Sequence, residues 1–401
     1  MTGLAMPSPE CRITGSSALH APLRIVHVAT TAVGGGAAKV MLDLASAQRS
    51  AGHAVLAISI HPRTVPPAWF GPEHGDWNDV CHLDWPLRYD RPLNLWEARR
   101  RLKRELDRFQ PDIVHSHLWL ADIVTSLAVD RRSTQHLAHL HCRDTWKESP
   151  AWKHRFRRSL TRQLFRRANT GIIACSETVK EFEVRCMGWP SAQMDVVRNA
   201  VDSQRFHPSH EKTSGRLRIG SAGWFIPLKG HRLLIDAVAD LVAEQVDVEL
   251  VIAGDGDLQK EYLQQAADRG ISDRLILPGP LSDMPAFYQS LDVFALPSTS
   301  EGLPLVVLEA MASGTCVVAS ALPGMDEVVR PEVNGLLFPV GDREALTSAL
   351  RRVLTDRDLS TRMGLASRNM IVEDYSAAHA AEQTEAVYRR RLAERLGCRR
   401  P

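Results

Sequence analysis

The chain has 401 residues, 44% of them hydrophobic and 24% charged, with a formal net charge of +2 at pH 7. Such a length predicts two domains of about 150–200 residues, and no apolar run approaches the about 18 residues that a membrane span requires. Residues 1–200 hold 27 Lys+Arg against 19 Asp+Glu, a net of +8, and residues 201–401 hold 22 against 28, a net of −6, a split that favours contact of the first half with an anionic partner or of the halves with each other.

Residues 1–22, with Pro7, Pro9 and Gly15 and no apolar h-region, read as a loose leader, not a signal peptide. Strands are predicted at Leu23–Ala29, His53–Ile60, Asp112–His117, His136–His141 and Thr170–Ser176, and again at Leu217–Ala222, Val248–Ala253, Arg274–Leu277, Val293–Leu296, Cys316–Ala319 and Leu336–Phe338. Strands alternating with helical patterns predict two α/β domains, each a doubly wound parallel sheet, spanning 23–205 and 216–375. The polar, turn-rich stretch 206–215 is the predicted linker, and 376–401 a C-terminal helix that crosses back to the first domain. Open α/β sheets bind ligands at the carboxyl ends of their strands, so the active site is expected in the cleft between the domains. Seven cysteines, at 11, 81, 142, 175, 186, 316 and 398, form no C-x-x-C pair, which favours reduced thiols and a cytoplasmic protein.

Gly34-Gly35-Gly36 follows the first strand and opens a helix, a place where backbone N–H groups approach an anion. It is no P-loop, and no acidic residue follows the second strand to hold an NAD ribose. His115 and His117, and His139 and His141, form alternating pairs at the ends of two strands; alternation sets each pair on one face, where a zinc site competes with the reading of a single cleft-facing histidine. Lys229 precedes a helix near His231, an arrangement suited to a phosphate. Asp255-Gly256-Asp257 is a D-x-D able to hold a divalent cation or to be a solvated turn. In Pro297–Gly314, Glu301 and Glu309 flank the apolar run Leu303, Leu305, Val306, Val307 and Leu308, and a buried carboxylate requires a partner.

The run from about Leu217 to Leu350 resembles glycosyltransferase family 4, retaining nucleotide-sugar enzymes of GT-B fold, and the first half matches it more loosely. The resemblance rests on Ala253-Gly-Asp-Gly, Glu301-Gly-Leu-Pro with Glu309-Ala-Met-Ala-Ser-Gly, Pro323-Gly-Met-Asp-Glu-Val-Val and Asn334-Gly-Leu-Leu-Phe-Pro-Val-Gly-Asp, joined by Asn199-Ala-Val-Asp-Ser-Gln-Arg-Phe and the triple glycine. It implies a GT-B fold, with two Rossmann-like domains facing each other across a cleft. It implies that Glu301 contacts hydroxyls of the donor sugar and Glu309 the ribose diol, with Gly302, Leu303 and Leu305 aiming backbone N–H groups at the donor. It also places Gly34–Gly36, Lys229, Asn199 and Gly254 on the donor, His141 beside the donor sugar and His117 on the acceptor side. Departure of the nucleotide diphosphate is then helped by Lys229 and helix N-termini without a metal or other cofactor. Where the family usually has an Arg about five residues before the lysine, this chain has Trp224, which leaves a catalytically inert nucleotide-sugar-binding protein as one rival; an NAD-dependent oxidoreductase is the other.

Trp152, Phe156, Leu160 and Leu164 recur every four residues among Lys153, Arg155, Arg157, Arg158, Arg162, Arg166 and Arg167. Residues 152–167 are therefore a basic amphipathic helix that either packs its stripe on the core or lies on an anionic membrane. The second reading suits a lipid-linked or polysaccharide acceptor and a peripheral membrane location; no nucleic-acid partner is expected.

Overall fold

The structure, a computed structural model, describes residues 21–31, 35–62, 80–86, 92–209 and 215–395. The first sheet holds β1 (Arg24–Ala29), β2 (Ala54–Ser59), β3 (Val80–His82), β4 (Ile113–His117), β5 (Gln135–Leu140), β6 (Gly171–Ala174) and β7 (Met194–Val196) in the order β3-β2-β1-β4-β5-β6-β7. The second holds β8 (Leu217–Ala222), β9 (Val248–Ala253), β10 (Leu275–Gly279), β11 (Val293–Leu296), β12 (Cys316–Ser320) and β13 (Leu336–Phe338) in the order β10-β9-β8-β11-β12-β13. Neighbouring strands run parallel throughout. Parallel strands covered on both faces read as unbroken apolar runs, which is why the central strands were legible. The two strands absent from the sequence reading, β3 and β7, are three-residue edge strands with two half-buried residues each, too short to show a period.

The connecting helices are α1 (Gly36–Ser50), α2 (Pro92–Phe109), α3 (Trp119–Ala128), α4 (Trp152–Ala168), α5 (Glu177–Met187), α6 (His231–Ala243), α7 (Gln259–Asp268), α8 (Met284–Gln289), α9 (Leu305–Ala312), α10 (Arg343–Thr355), α11 (Arg357–Asp374) and α12 (Ala377–Arg395). The last of these returns to the first sheet. Its Val387, Tyr388 and Leu392 bury with Ile25, Ile113, Leu137 and Ile173, and Arg390 and Arg391 both pair with Asp195 of β7.

The strand order reverses between β1 and β4 in one sheet and between β8 and β11 in the other, and loops at such switch points form the ligand crevice. The domains are in contact along it. One hydrophobic cluster runs from Val40, Leu44 and Phe165 to Leu303, Leu305 and Leu308. Glu327 Oε1 accepts hydrogen bonds from Thr178 N at 3.2 Å and Thr178 Oγ1 at 2.9 Å, closing one of the open N–H groups in the first turn of α5 from the opposite domain. Arg198 Nε lies 3.7 Å from the other Glu327 oxygen. Of the predicted linker, 210–214 lie outside the described residues, as do residues 1–20 of the leader, Gly34, Cys11 and Cys398.

Candidate functional site

The loops after β8 and β11 lie against each other because Gly230 allows it. A Cβ there would stand 2.0 Å from the Pro297 carbonyl oxygen, and its φ of +67° is left-handed. Thr299 N donates to Leu228 O at 2.8 Å. This contact delivers Lys229 to Glu301, with Nζ 2.8 Å from Oε1 and both side chains largely enclosed. Glu301 thus sits in a loop at the second switch point, not on a helix, and Pro304 starts α9 behind it.

The next residue meets the first domain. A Cβ on Gly302 would stand 2.4 Å from the His141 carbonyl oxygen, so any side chain would force the two domains apart. Leu303 is buried, and its carbonyl accepts from Asn199 Nδ2 at 2.7 Å; Asn199 therefore anchors the loop that follows Glu301. Leu305 in turn packs over Gly36, where a Cβ would stand 3.3 Å from Leu305 Cδ1. Gly35 precedes α1 with φ +96°. Gly254 acts at one remove: a Cβ there would stand 2.0 Å from Gly223 O, so it lets the loop bearing Lys229 settle on the end of β9.

Glu309 lies on the buried face of α9 and is 5% exposed. Tyr288 OH donates to its Oε2 at 2.8 Å, and Lys39 Nζ of α1 is 4.0 Å from its Oε1. Burial pushes the Glu309 carboxyl above the usual range, opposed by the Lys39 cation and the Tyr288 hydrogen bond. Lys39 is largely enclosed too, but Asp43, 2.8 Å away, and Glu309 together outweigh the desolvation and hold its ammonium protonated. Neither Lys39 nor Tyr288 is among the site residues expected from the sequence. Lys39 carried a signal, a lysine one turn past a glycine loop; Tyr288, 21 residues from its partner, carried none.

The paired histidines do share a face, and His27 of β1 joins them. Neighbouring strands set His27 beside His115 and His117 beside His139. His117 Nε2 lies 3.1 Å from His27 Nδ1, and His117 Nδ1 lies 3.0 Å from His141 Nε2. The His117 side chain is wholly buried, which corrects its placement as an acceptor contact; it stands one hydrogen bond behind His141. Ring nitrogens of His27, His115 and His117, and of His117, His139 and His141, gather within 4.8 Å and form the candidate metal groups among the described residues. Both triads need His117, whose two nitrogens are already engaged with neighbouring rings. Asp255-Gly256-Asp257 forms a turn in which Gly256 N bonds Asp255 Oδ1 at 2.7 Å and Phe225 N bonds Asp255 O at 2.7 Å. Trp224 is 48% exposed.

A small cavity beside His141 is lined by Trp119, Asp122, Cys142, Lys147, Glu183 and Trp189 among others. Beyond it runs α4, whose stripe faces outward: Trp152 is 80%, Phe156 65% and Leu160 36% exposed. The helix packs instead through Thr161, Phe165 and Ala168, which removes the core reading for the first three stripe positions. Lys153, Arg155, Arg166 and Arg167 are exposed. Three other cations are not available to a surface: Arg157 stacks on Trp119 and Trp146, Arg158 donates to Lys147 O and Ser149 O, and Arg162 to Met187 O. No helix among the described residues is long and apolar enough to cross a membrane.

Residues 34–205 match the model of Glycosyltransferase Family 4, and residues 202–370 that of Glycosyl transferases group 1. The chain is 27% identical over 369 residues to the lipopolysaccharide core biosynthesis mannosyltransferase LpsB of Rhizobium meliloti, covering 86% of this chain and 93% of that protein. It is 30% identical over 326 residues to a D-inositol 3-phosphate glycosyltransferase of Nocardia farcinica, covering 76% and 71%. Among solved structures it superposes on sucrose-phosphate synthase of Thermosynechococcus elongatus with a TM-score of 0.78 at 22% identity, covering 92% and 100%. HepE of Anabaena in complex with UDP and glucose gives 0.76 at 20%, covering 91% and 99%.

Proposed function

The chain belongs to glycosyltransferase family 4 and is a glycosyltransferase of GT-B fold, and from that premise we propose that it moves a sugar from a nucleoside diphosphate donor to an acceptor hydroxyl with retention of configuration. The observation that carries the proposal is the Lys229–Glu301 pair, set 2.8 Å apart at the second switch point. Glu301 receives sugar hydroxyls, and Lys229 is released to face the diphosphate. Glu309 accepts the ribose diol, since a carboxylate has lone pairs for two adjacent hydroxyls. Lys39, held cationic 4.0 Å from Glu309, supplies from the opposite domain the second positive charge that Trp224 does not.

In the transfer, the bond from the anomeric carbon to the phosphate oxygen breaks, and a bond to the acceptor oxygen forms on the same face. The acceptor proton passes to the departing phosphate oxygen. Charge developing there is stabilised by the two lysines and by backbone N–H groups of the Gly35–Gly36 turn, with no metal at Asp255 or Asp257. The bound UDP and glucose of HepE support a nucleoside diphosphate donor, and the lipopolysaccharide role in the name of the Rhizobium relative supports a polysaccharide or lipid-linked acceptor. The outward apolar stripe of α4 among exposed cations supports docking on an anionic membrane from the cytoplasmic side. A screen of nucleotide sugars for release of nucleoside diphosphate, run with and without EDTA, tests the proposal. Release from one donor that survives chelation supports it; activity lost to EDTA and restored by Mg²⁺ or Mn²⁺ returns Asp255 and Asp257 to the mechanism.

A further inference from the structure

A chain of side-chain hydrogen bonds runs through the interior of the first domain and ends at His141. It starts at Tyr388 of α12, whose hydroxyl lies 2.7 Å from His115 Nδ1 and 3.3 Å from Gln48 Nε2. Gln48 Oε1 lies 2.8 Å from His27 Nε2, His27 Nδ1 3.1 Å from His117 Nε2, and His117 Nδ1 3.0 Å from His141 Nε2. His141 Nδ1 is shut off from solvent and has no partner. Burial lowers the pKa of His27 to about 4, that of His141 to about 3 and that of His117 well below its ordinary value, so all three rings are neutral at pH 7.

A neutral imidazole has one N–H and one lone pair, and this gives the chain a direction. An amide oxygen only accepts, so His27 carries its hydrogen on Nε2 and offers a bare Nδ1. His117 must then donate from Nε2 and accept at Nδ1, and His141 must donate from Nε2. Turning the Gln48 amide over would reverse every donor in the series. Its NH₂ group is held on the Tyr388 hydroxyl, which has its own hydrogen to give to His115 Nδ1.

We propose that Gln48 and His27 are positioning residues that act through His117 to fix His141 in the tautomer with hydrogen on Nε2, leaving an Nδ1 lone pair to accept a hydrogen bond from a substrate hydroxyl. This rests on the placement of His141 beside the donor sugar. A misdirected chain would present an N–H where a hydroxyl proton must be received. A bound metal is the competing account of five gathered histidines, but His117, shared by both candidate groups, has no free nitrogen to give it.

The test uses the full-length protein with ¹⁵N-labelled histidine, whose long-range ¹H–¹⁵N spectra report each ring's tautomer; the His141→Gln spectrum assigns the His141 signals. Hydrogen on Nε2 of His27, His117 and His141 is the expected result. Gln48→Met should mix the tautomers at His141 and lower kcat by about tenfold or more, the sense of effect seen when a catalytic imidazole holds the wrong tautomer, with little change in donor KM. Gln48→Glu keeps an oxygen facing His27 and should restore both the tautomer and most of kcat. Hydrogen on His141 Nδ1 in the unmodified protein, an unchanged tautomer in Gln48→Met, or about one zinc per chain by elemental analysis overturns the proposal. If the tautomers respond as stated while His141→Gln turns over normally, the placement of His141 at the donor falls, and with it the functional half of the proposal; the tautomer assignment stands.

Discussion

Lys229 Nζ and Glu301 Oε1 are 2.8 Å apart, so the cation proposed to meet the diphosphate and the carboxylate proposed to meet the sugar are each other's counter-charge. Loss of one partner therefore acts on the other. Lys229→Ala should weaken nucleoside diphosphate binding by about 1.5–3 kcal/mol, the range for a hydrogen bond to a charged group. Glu301→Ala frees Lys229, and should leave nucleotide affinity equal or tighter while reducing turnover. Calorimetry with the free nucleotide beside steady-state rates separates the two; a Glu301→Ala protein that binds nucleotide as poorly as Lys229→Ala would contradict the division of roles.

Glu309→Ala should weaken nucleotide binding by a similar amount, about 1.5–3 kcal/mol. The ribose diol needs an ionised acceptor, and burial has raised the Glu309 pKa. Nucleotide affinity should accordingly fall as pH drops through a value above the ordinary carboxylate range. Tyr288→Phe removes a hydrogen bond to the charged form and should move that fall to higher pH. Affinity independent of pH in both proteins would remove Glu309 from the ribose.

Asp122 is 1% exposed, accepts from Ser116 Oγ at 2.7 Å and leaves Oδ2 without a partner. Burial pushes its pKa up to about 8, against the pull of the Ser116 hydrogen bond. Between an unfolded value of about 3.9 and that folded value, the native state holds one proton more than the unfolded state. This group therefore makes stability fall as pH rises through that window, by up to about 1.4 kcal/mol per pH unit. Asp122→Asn is neutral throughout and should flatten the dependence, which urea midpoints at pH 5, 7 and 9 will read. Parallel pH profiles for the two proteins would show the carboxyl to be ionised in the fold.

The exposed face of α4 gives a membrane prediction. Each Lys or Arg near an anionic surface contributes about 1 kcal/mol, so Lys153, Arg155, Arg166 and Arg167, all exposed, should hold the protein on anionic vesicles at low salt and release it at high salt. Reversing these four to Glu, or replacing Trp152 and Phe156 with Ser, should abolish cosedimentation and leave donor hydrolysis intact. Equal recovery with neutral and anionic vesicles would make the acceptor soluble.

How much of this was legible in the sequence depended on whether a residue's partner was close along the chain. The longer strands of both sheets, the Glu301 and Glu309 spacing and the α4 stripe are local patterns, and local periodicity survives into the fold, whereas the three-residue β3 and β7 show none. The contacts that build the site are not local. Glu309 meets Lys39 and Tyr288, Asn199 holds Leu303, and Gly302 touches the His141 carbonyl; each crosses from one element to another by a register that no spacing rule encodes. The histidine pairs show both sides of this. Their alternation gave the shared face, while the hydrogen-bonded neighbours His27 and Gln48 came from other elements, and with them the burial of His117.

Glu327 reaches across the cleft to the first turn of α5, with Thr178 as its double donor and Arg198 beside it. The clasp joins the two halves at the start of α5, so parting them there has to strip Thr178 N of its acceptor, while Ser176 Oγ of the helix's own domain keeps Val179 N. Any motion that separates the two halves at this corner breaks both Thr178 hydrogen bonds at once. Glu327→Gln keeps an acceptor oxygen for Thr178 but loses the charge that strengthens those bonds and faces Arg198, and so loosens the hold of one half on the other.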